Sequence, residues 1–148
     1  MSYTIGQMAN LLNISPSTLR YYDKEGLLPF IERSKSGIRI FKDSDYEWLK
    51  IIECFKKTGM HLKDIRSFVL MAMQGDVTIN ERLQLIANQR KTVISQIDEL
   101  KEKLGMLDFK LWYYETAKKA GTTEGLKNMS LSDIPEQYRD VRKKLRRE

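Results

Sequence analysis

Apolar residues recur at helical spacing in four stretches of this chain and alternate at strand spacing in one. In the first stretch Ile5, Met8, Ala9, Leu11 and Leu12 make the buried face of a short helix. Thr4 is placed to cap it, and Gln7, three residues on, can reach back to complete a capping box. Asn13 interrupts the helix. Ser15 is placed to cap a second one, and Pro16 suits its first turn, where a missing N–H costs nothing. That second helix carries Ser17, Thr18, Arg20, Tyr21 and Tyr22, and Gly26 closes it.

Beyond Pro29 the period changes to two. Phe30 to Arg33 and Ile38 to Phe41 flank Ser34-Lys35-Ser36-Gly37, which predicts a β-hairpin with glycine at the end of its loop. Alternation puts Ile38 and Ile40 on one face and Arg39 and Phe41 on the other. Helical spacing then returns. Ser44 and Glu47 form a capping box that opens a helix over about 45–57, with Trp48, Ile51, Ile52 and Phe55 as its buried face. Gly59 breaks it, and a helix over about 62–73 follows with Ile65, Phe68, Val69 and Ala72 inward.

The fourth stretch is the longest. Gly75-Asp76 ends the first domain, and Thr78 with Glu81 makes a third capping box. From there Ile79, Leu83, Ile86, Arg90, Val93, Ile97, Leu100, Leu104, Leu107, Leu111 and Tyr114 alternate by four and three without a slip. A seam of about five heptads predicts a coiled coil. The rest of the helix is polar, so the seam would stay wet without a partner, and each Å² of apolar surface left in water costs about 25 cal/mol. Too few residues follow to cover it from the same chain. Dimerisation is the simplest remedy, with Arg90 as a polar break that can fix register. The sequence does not choose parallel from antiparallel. After Gly121 to Gly125, residues 130–133 offer a cap for a last helix over 136–147, ending in a basic run that reads as a frayed, solvated terminus or a further DNA contact.

The second helix has the chemistry of a nucleic-acid reader. A capped helix, a tight turn and a polar helix with hydroxyls, an Arg and two Tyr make a helix-turn-helix signature. Ser17 and Thr18 lie at the N-terminal end, which meets base edges in a major groove; Arg20 suits guanine or phosphate, and tyrosine hydroxyls can donate to phosphate. The caps alone fit a solvated helical hairpin in another small domain equally well.

The residues that follow are more specific. TIGQMANLLNISPSTLRYYDKEGLL, then FIERSKSGIRIFKDSDYEWLKII and FKKTGMHLKDI, resembles the DNA-binding domain of the MerR family of transcription regulators over about residues 3–70. The resemblance implies a winged helix-turn-helix on a two-fold dimer with antiparallel long helices. It further implies binding between the two promoter elements and distortion of the double-stranded DNA, so that RNA polymerase engages both. The hairpin would be the wing, with Arg39 after the glycine on the DNA backbone and Arg33 and Lys35 beside it. The second helical pair would bring Lys57, His61 and Lys63 to phosphates. Ile38 and Phe41 depart from the family's usual aromatic and tyrosine, and Phe41 has no hydroxyl to donate.

The expected fold is therefore mainly α: a winged helix-turn-helix domain with a small β-hairpin wing over 1–75, a long dimerising coiled-coil helix over 76–120, and a short C-terminal tail with a terminal helix over 121–148. Net charge of +6 and a pI near 9.4 favour an anionic partner. Residues 1–75 carry only half of that excess, so the motif is the stronger argument. No apolar run approaches the roughly 20 residues of a membrane span, and no signal-peptide pattern opens the chain, which implies a cytoplasmic protein without a membrane partner.

One His, one Cys and no phosphate-cradling glycine loop argue against an enzyme and against a metal or other cofactor. The family's metal-sensing branches use clustered cysteines near the long helix, and no Cys follows Cys54. About thirty residues beyond the coiled coil leave no room for a large drug-binding domain. Lys50 and Lys57 share the helical face of Cys54 and favour a thiolate there, while the helix C-terminus opposes it. A subset of the family with one Cys in this helix responds to aldehydes, electrophiles or nitrosative stress, so Cys54 is either such a sensor or a small packed residue. The leading expectation is a promoter-distorting activator. A repressor on the same fold and, further off, a coiled-coil scaffold for an acidic protein are the alternatives.

Overall fold

The computed structural model describes residues 1–146, which form seven helices and a small sheet. The helix-turn-helix forms as its caps dictate. Helix α1 (Ile5–Leu12) begins at Thr4, whose hydroxyl accepts from the Gln7 N–H while the Gln7 side chain accepts from the Thr4 N–H. Asn13 ends it in the left-handed conformation, at φ 56°, a region in which Asn is tolerated better than other side chains. Ser15 caps α2 (Pro16–Lys24) through the Thr18 N–H. Met8, Ala9, Leu19 and Tyr22 are buried between the two helices and the rest of the core, but Leu11 faces solvent.

The hairpin joins β2 (Glu32–Arg33) to β3 (Arg39–Lys42), pairing Arg33 with Arg39 and Glu32 with Ile40. A further strand that no period of the sequence marks, β1 (Ser2–Tyr3), pairs antiparallel along the other edge of β3, giving the order β1-β3-β2. Ile38 belongs to the loop and is exposed, whereas Phe41 is fully buried. Its phenyl ring thus serves the core, and the lack of a hydroxyl leaves no polar group unpaired there.

Helix α3 (Asp43–Lys57) starts two residues before its expected position. The Ser44–Glu47 box does not form; instead the Asp45 carboxylate accepts from the Lys42 N–H at 2.8 Å, which suits a carboxylate near the positive end of a helix. Leu49 and Ile52 are its most buried apolar residues, and Ile51 is exposed. Helix α4 (Leu62–Met73) buries Ile65 and Val69 against the same core.

Helix α5 runs unbroken from Ile79 to Ala120 over 42 residues. A single 3-10 turn, Asp76–Thr78, precedes it and replaces the expected Thr78–Glu81 box. The Thr78 hydroxyl donates back to the Met71 carbonyl at 2.6 Å, and the Arg82 side chain donates to the Gly75 carbonyl at 3.0 Å. Along the seam Ile97, Leu100, Leu104, Leu107 and Leu111 are 45–67 % exposed. No segment of the described chain covers them.

The chain divides into two compact units, residues 1–92 and 93 onward, with α5 contributing to both. In the second unit α6 (Glu124–Lys127) and α7 (Glu136–Arg146) pack on the last turns of α5. Phe109, Tyr113, Ala117, Leu126 and Ile134 are buried there, and Trp112 and Tyr138 approach to 5.8 Å between ring centres. Arg142 is buried, and its guanidinium donates to the Leu126 and Lys127 carbonyls at the end of α6. The terminal helix is therefore packed where a frayed, solvated end was expected. Of its predicted span, Arg147 lies outside the described residues.

Candidate nucleic-acid interface

Helix α2 presents Ser17, Arg20 and Tyr21 to solvent, with Thr18 half-buried beside them. The Thr18 hydroxyl lies 2.9 Å from that of Ser15, so the helix cap also fixes its orientation. Tyr22 does not share this outward face. It is buried, and its hydroxyl donates to Glu53 on α3, which makes it a packing residue instead of the phosphate donor expected from the sequence. Burial and the neighbouring Glu53 carboxylate push the Tyr22 hydroxyl well above its ordinary value.

That shift has a testable sign. Below pH 10 Tyr22 keeps its proton in both folded and unfolded chains, and its stabilisation is complete. Above pH 10 the unfolded chain releases a proton that the folded chain retains, so stability falls as pH rises toward the folded value. Tyr22→Phe is expected to be about 1.5–3 kcal/mol less stable at pH 7, from the lost hydrogen bond to a charged acceptor. It should also show a shallower loss of stability above pH 10. Chemical denaturation of both proteins at pH 7, 9.5 and 10.5 measures the difference, and equal alkaline slopes would refute it.

The hairpin is tied to α2 by a carboxylate that no sequence motif marks. Asp23 accepts from Arg39 Nε and from Arg33 Nη2, each at 2.7 Å, and Arg33 Nη1 donates to the Gly37 carbonyl at 3.0 Å. Arg39 is thereby ordered while its terminal Nη groups remain for another acceptor, and Lys35 stands exposed at the loop. Asp23 lies 10 and 16 residues from its partners. No helical or strand period links them, so only the folded hairpin reveals the contact. Lys56 is a second such residue, with its ammonium 5.5 Å from the Tyr21 ring centre and 4.9 Å from that of Tyr22.

Lys57, His61 and Lys63 are exposed around the α3–α4 turn, where Gly59 adopts φ 85°. His61 occupies the N-cap of α4 without a side-chain cap bond. Cys54 is exposed on α3 and lines a cleft of about 380 Å³ with Leu11, Leu12, Tyr46, Lys50, Glu53 and Lys57. Lys50 and Lys57 thus line the same cleft as Cys54, with α1 supplying its apolar wall.

Residues 3–71 match the family described as MerR HTH family regulatory protein. An uncharacterized HTH-type transcriptional regulator of Haemophilus influenzae is 48% identical over 136 residues, which is 92% of this chain and 98% of the relative. Among solved structures, HiNmlR is a MerR family regulator lacking the sensor domain, crystallised bound to promoter DNA. It is 48% identical at a TM-score of 0.70, over 84% of this chain and 99% of its own. A MerR family regulator from Bacillus thuringiensis is 40% identical at a TM-score of 0.66, over 75% of this chain and 97% of its own. These relatives are regulators of transcription, not enzymes. A capped helix-turn-helix, a wing clasped to its second helix and likeness over nearly the whole chain lead to one assignment: the protein is a DNA-binding transcriptional regulator of the MerR family.

Proposed function

We propose that the protein is a cytoplasmic homodimer that binds a two-fold promoter site and activates transcription by distorting the DNA for RNA polymerase in response to an inducing signal. The observation that carries this reading is the uncovered seam of α5, an apolar stripe interrupted only at Arg90, on a helix joined to a helix-turn-helix head. An identical stripe on a second copy is its natural cover, and two heads on one rod match a two-fold site. Ser17, Thr18 and Arg20 are assigned to base edges and phosphate, Tyr21, Arg33, Lys35 and Arg39 to the backbone around the wing, and Lys57, His61 and Lys63 to flanking phosphates. HiNmlR, described as lacking the sensor domain, was crystallised on promoter DNA. By analogy the signal in this chain is received within the head, and exposed Cys54 in its lysine-lined cleft is the assigned sensor.

The test is a footprint on the protein's own upstream region combined with transcription in vitro, with and without an aldehyde. The expected result is a two-fold footprint over an overlong promoter spacer and aldehyde-dependent activation that Cys54→Ser abolishes without weakening DNA binding. An unchanged response in Cys54→Ser would remove the thiol from the mechanism. A footprint over a spacer of ordinary length would favour repression, and weak binding indifferent to sequence would favour a scaffold.

A further inference from the structure

We infer that Gln89 is a positioning residue that sets the separation between DNA half-sites the protein accepts, by clamping the long helix to the end of α3. The inference rests on the two-fold dimer reading above.

The hydrogen-bonded attachments of α5 to the head fall at two places. Thr78 and Arg82 bind the end of α4, through the Met71 and Gly75 carbonyls and through Arg82 Nε to the Thr78 hydroxyl at 3.1 Å. Those contacts share the first turn of the helix and leave its direction undetermined. Gln89 supplies the second place. Its Nε2 donates to the Thr58 carbonyl at 3.0 Å and lies 3.4 Å from the Thr58 hydroxyl. Thr58 is the C-cap of α3, and its hydroxyl donates to the Phe55 carbonyl at 2.6 Å. Gln89 therefore satisfies a carbonyl that the end of α3 would otherwise leave to water.

Thr78 and Gln89 are eleven residues apart, about 16 Å along a helix. Attachment at two points on two different helices fixes an angle, whereas attachment at one point makes a pivot. Between them Leu85 packs against the head's core but is an apolar contact without directional preference. The sequence marks Gln89 only as a polar residue next to Arg90 of the seam. In the structure it turns back to the head.

The consequence follows from lever length. A head of this size is roughly 25–30 Å across. A 10° tilt acting over about 20 Å of it moves the reading helix about 3.5 Å, close to one base-pair rise. An angle held at both places thus selects one half-site spacing, and a loosened angle admits neighbouring spacings.

The experiment uses the full chain and duplexes cut from its footprinted site, at the native centre-to-centre spacing and with one base pair added or removed. Wild type is expected to favour the native spacing by about tenfold or more, the scale of one mis-set base contact. Gln89→Met keeps the side chain's length and removes the donor. It is expected to bind the native duplex within about threefold of wild type while its preference falls below about threefold. Gln89→Lys restores a donor of sufficient reach and is expected to restore the preference. A Gln89→Met protein that keeps the wild-type preference, or that loses all three duplexes equally, would overturn the inference. If wild type itself ignored spacing, the two-fold reading would fail first and carry the inference with it.

Discussion

Leu100→Glu is expected to yield a chain that sediments as a monomer at micromolar concentration and binds its operator at least about a hundredfold more weakly. Leu100 lies mid-seam and is 63 % exposed in the single chain. In the proposed dimer, burial of Leu100 against a second copy would contribute roughly 1.5–3 kcal/mol per side chain. A carboxylate in its place loses that term and adds a desolvation cost of several kcal/mol, twice over by symmetry. Losing 3 kcal/mol already corresponds to about two orders of magnitude in an association constant. The same helix carries an internal control. Ser95 is exposed and falls outside the four-and-three spacing of the seam, so Ser95→Glu should remain a dimer with unchanged operator affinity. Sedimentation equilibrium and gel-shift titration of both variants decide the matter. A dimeric Leu100→Glu protein would show that the stripe is covered by something other than a second copy.

Arg39→Ala is expected to weaken binding by about a hundredfold, to similar extents on all sequences. A hydrogen bond to a charged group contributes about 1.5–3 kcal/mol, and a dimer loses two of them. Each phosphate contact contributes about 0.9 to the slope of log affinity against log salt, so the slope should fall by about 1.8 per dimer. The fold should tolerate the change, because the pair with Asp23 is partly solvated and Arg33 still satisfies that carboxylate. Titrations at several salt concentrations on specific and random duplexes separate the two quantities. An unaltered salt slope would mean that Arg39 orders the wing without touching phosphate.

The long-range character of the Asp23 clasp explains why part of the candidate interface was hidden. Ser15, Thr18 and Pro16 announce the recognition helix because capping is local and recurs at fixed offsets. Asp23 announces nothing, since its partners are brought to it by a hairpin whose fold-back no local period encodes. Tyr22 shows the same limit from the other side. Its position beside Tyr21 made it look equivalent, and the 100° turn between adjacent helical residues placed one ring in solvent and the other in the core. The caps expected at Ser44 and Thr78 failed for a related reason: Asp45 offered a charged acceptor one residue away, and tertiary contacts with Met71 and Gly75 claimed the Thr78 hydroxyl.

Local patterning by itself determined the helix-turn-helix, the hairpin, the two following helices and the uninterrupted rod, because caps, turn glycines and apolar periods act over a few residues. The bare seam was also legible, as an apolar stripe on an otherwise polar helix. Tertiary structure alone decided which of the polar side chains face outward, that β1 completes the sheet, that the basic end packs as α7, and that Gln89 joins the rod to the head. Each of those outcomes depends on groups far apart in the chain meeting at hydrogen-bonding distance. That meeting is set by how the elements pack, which periodicity along the sequence does not specify.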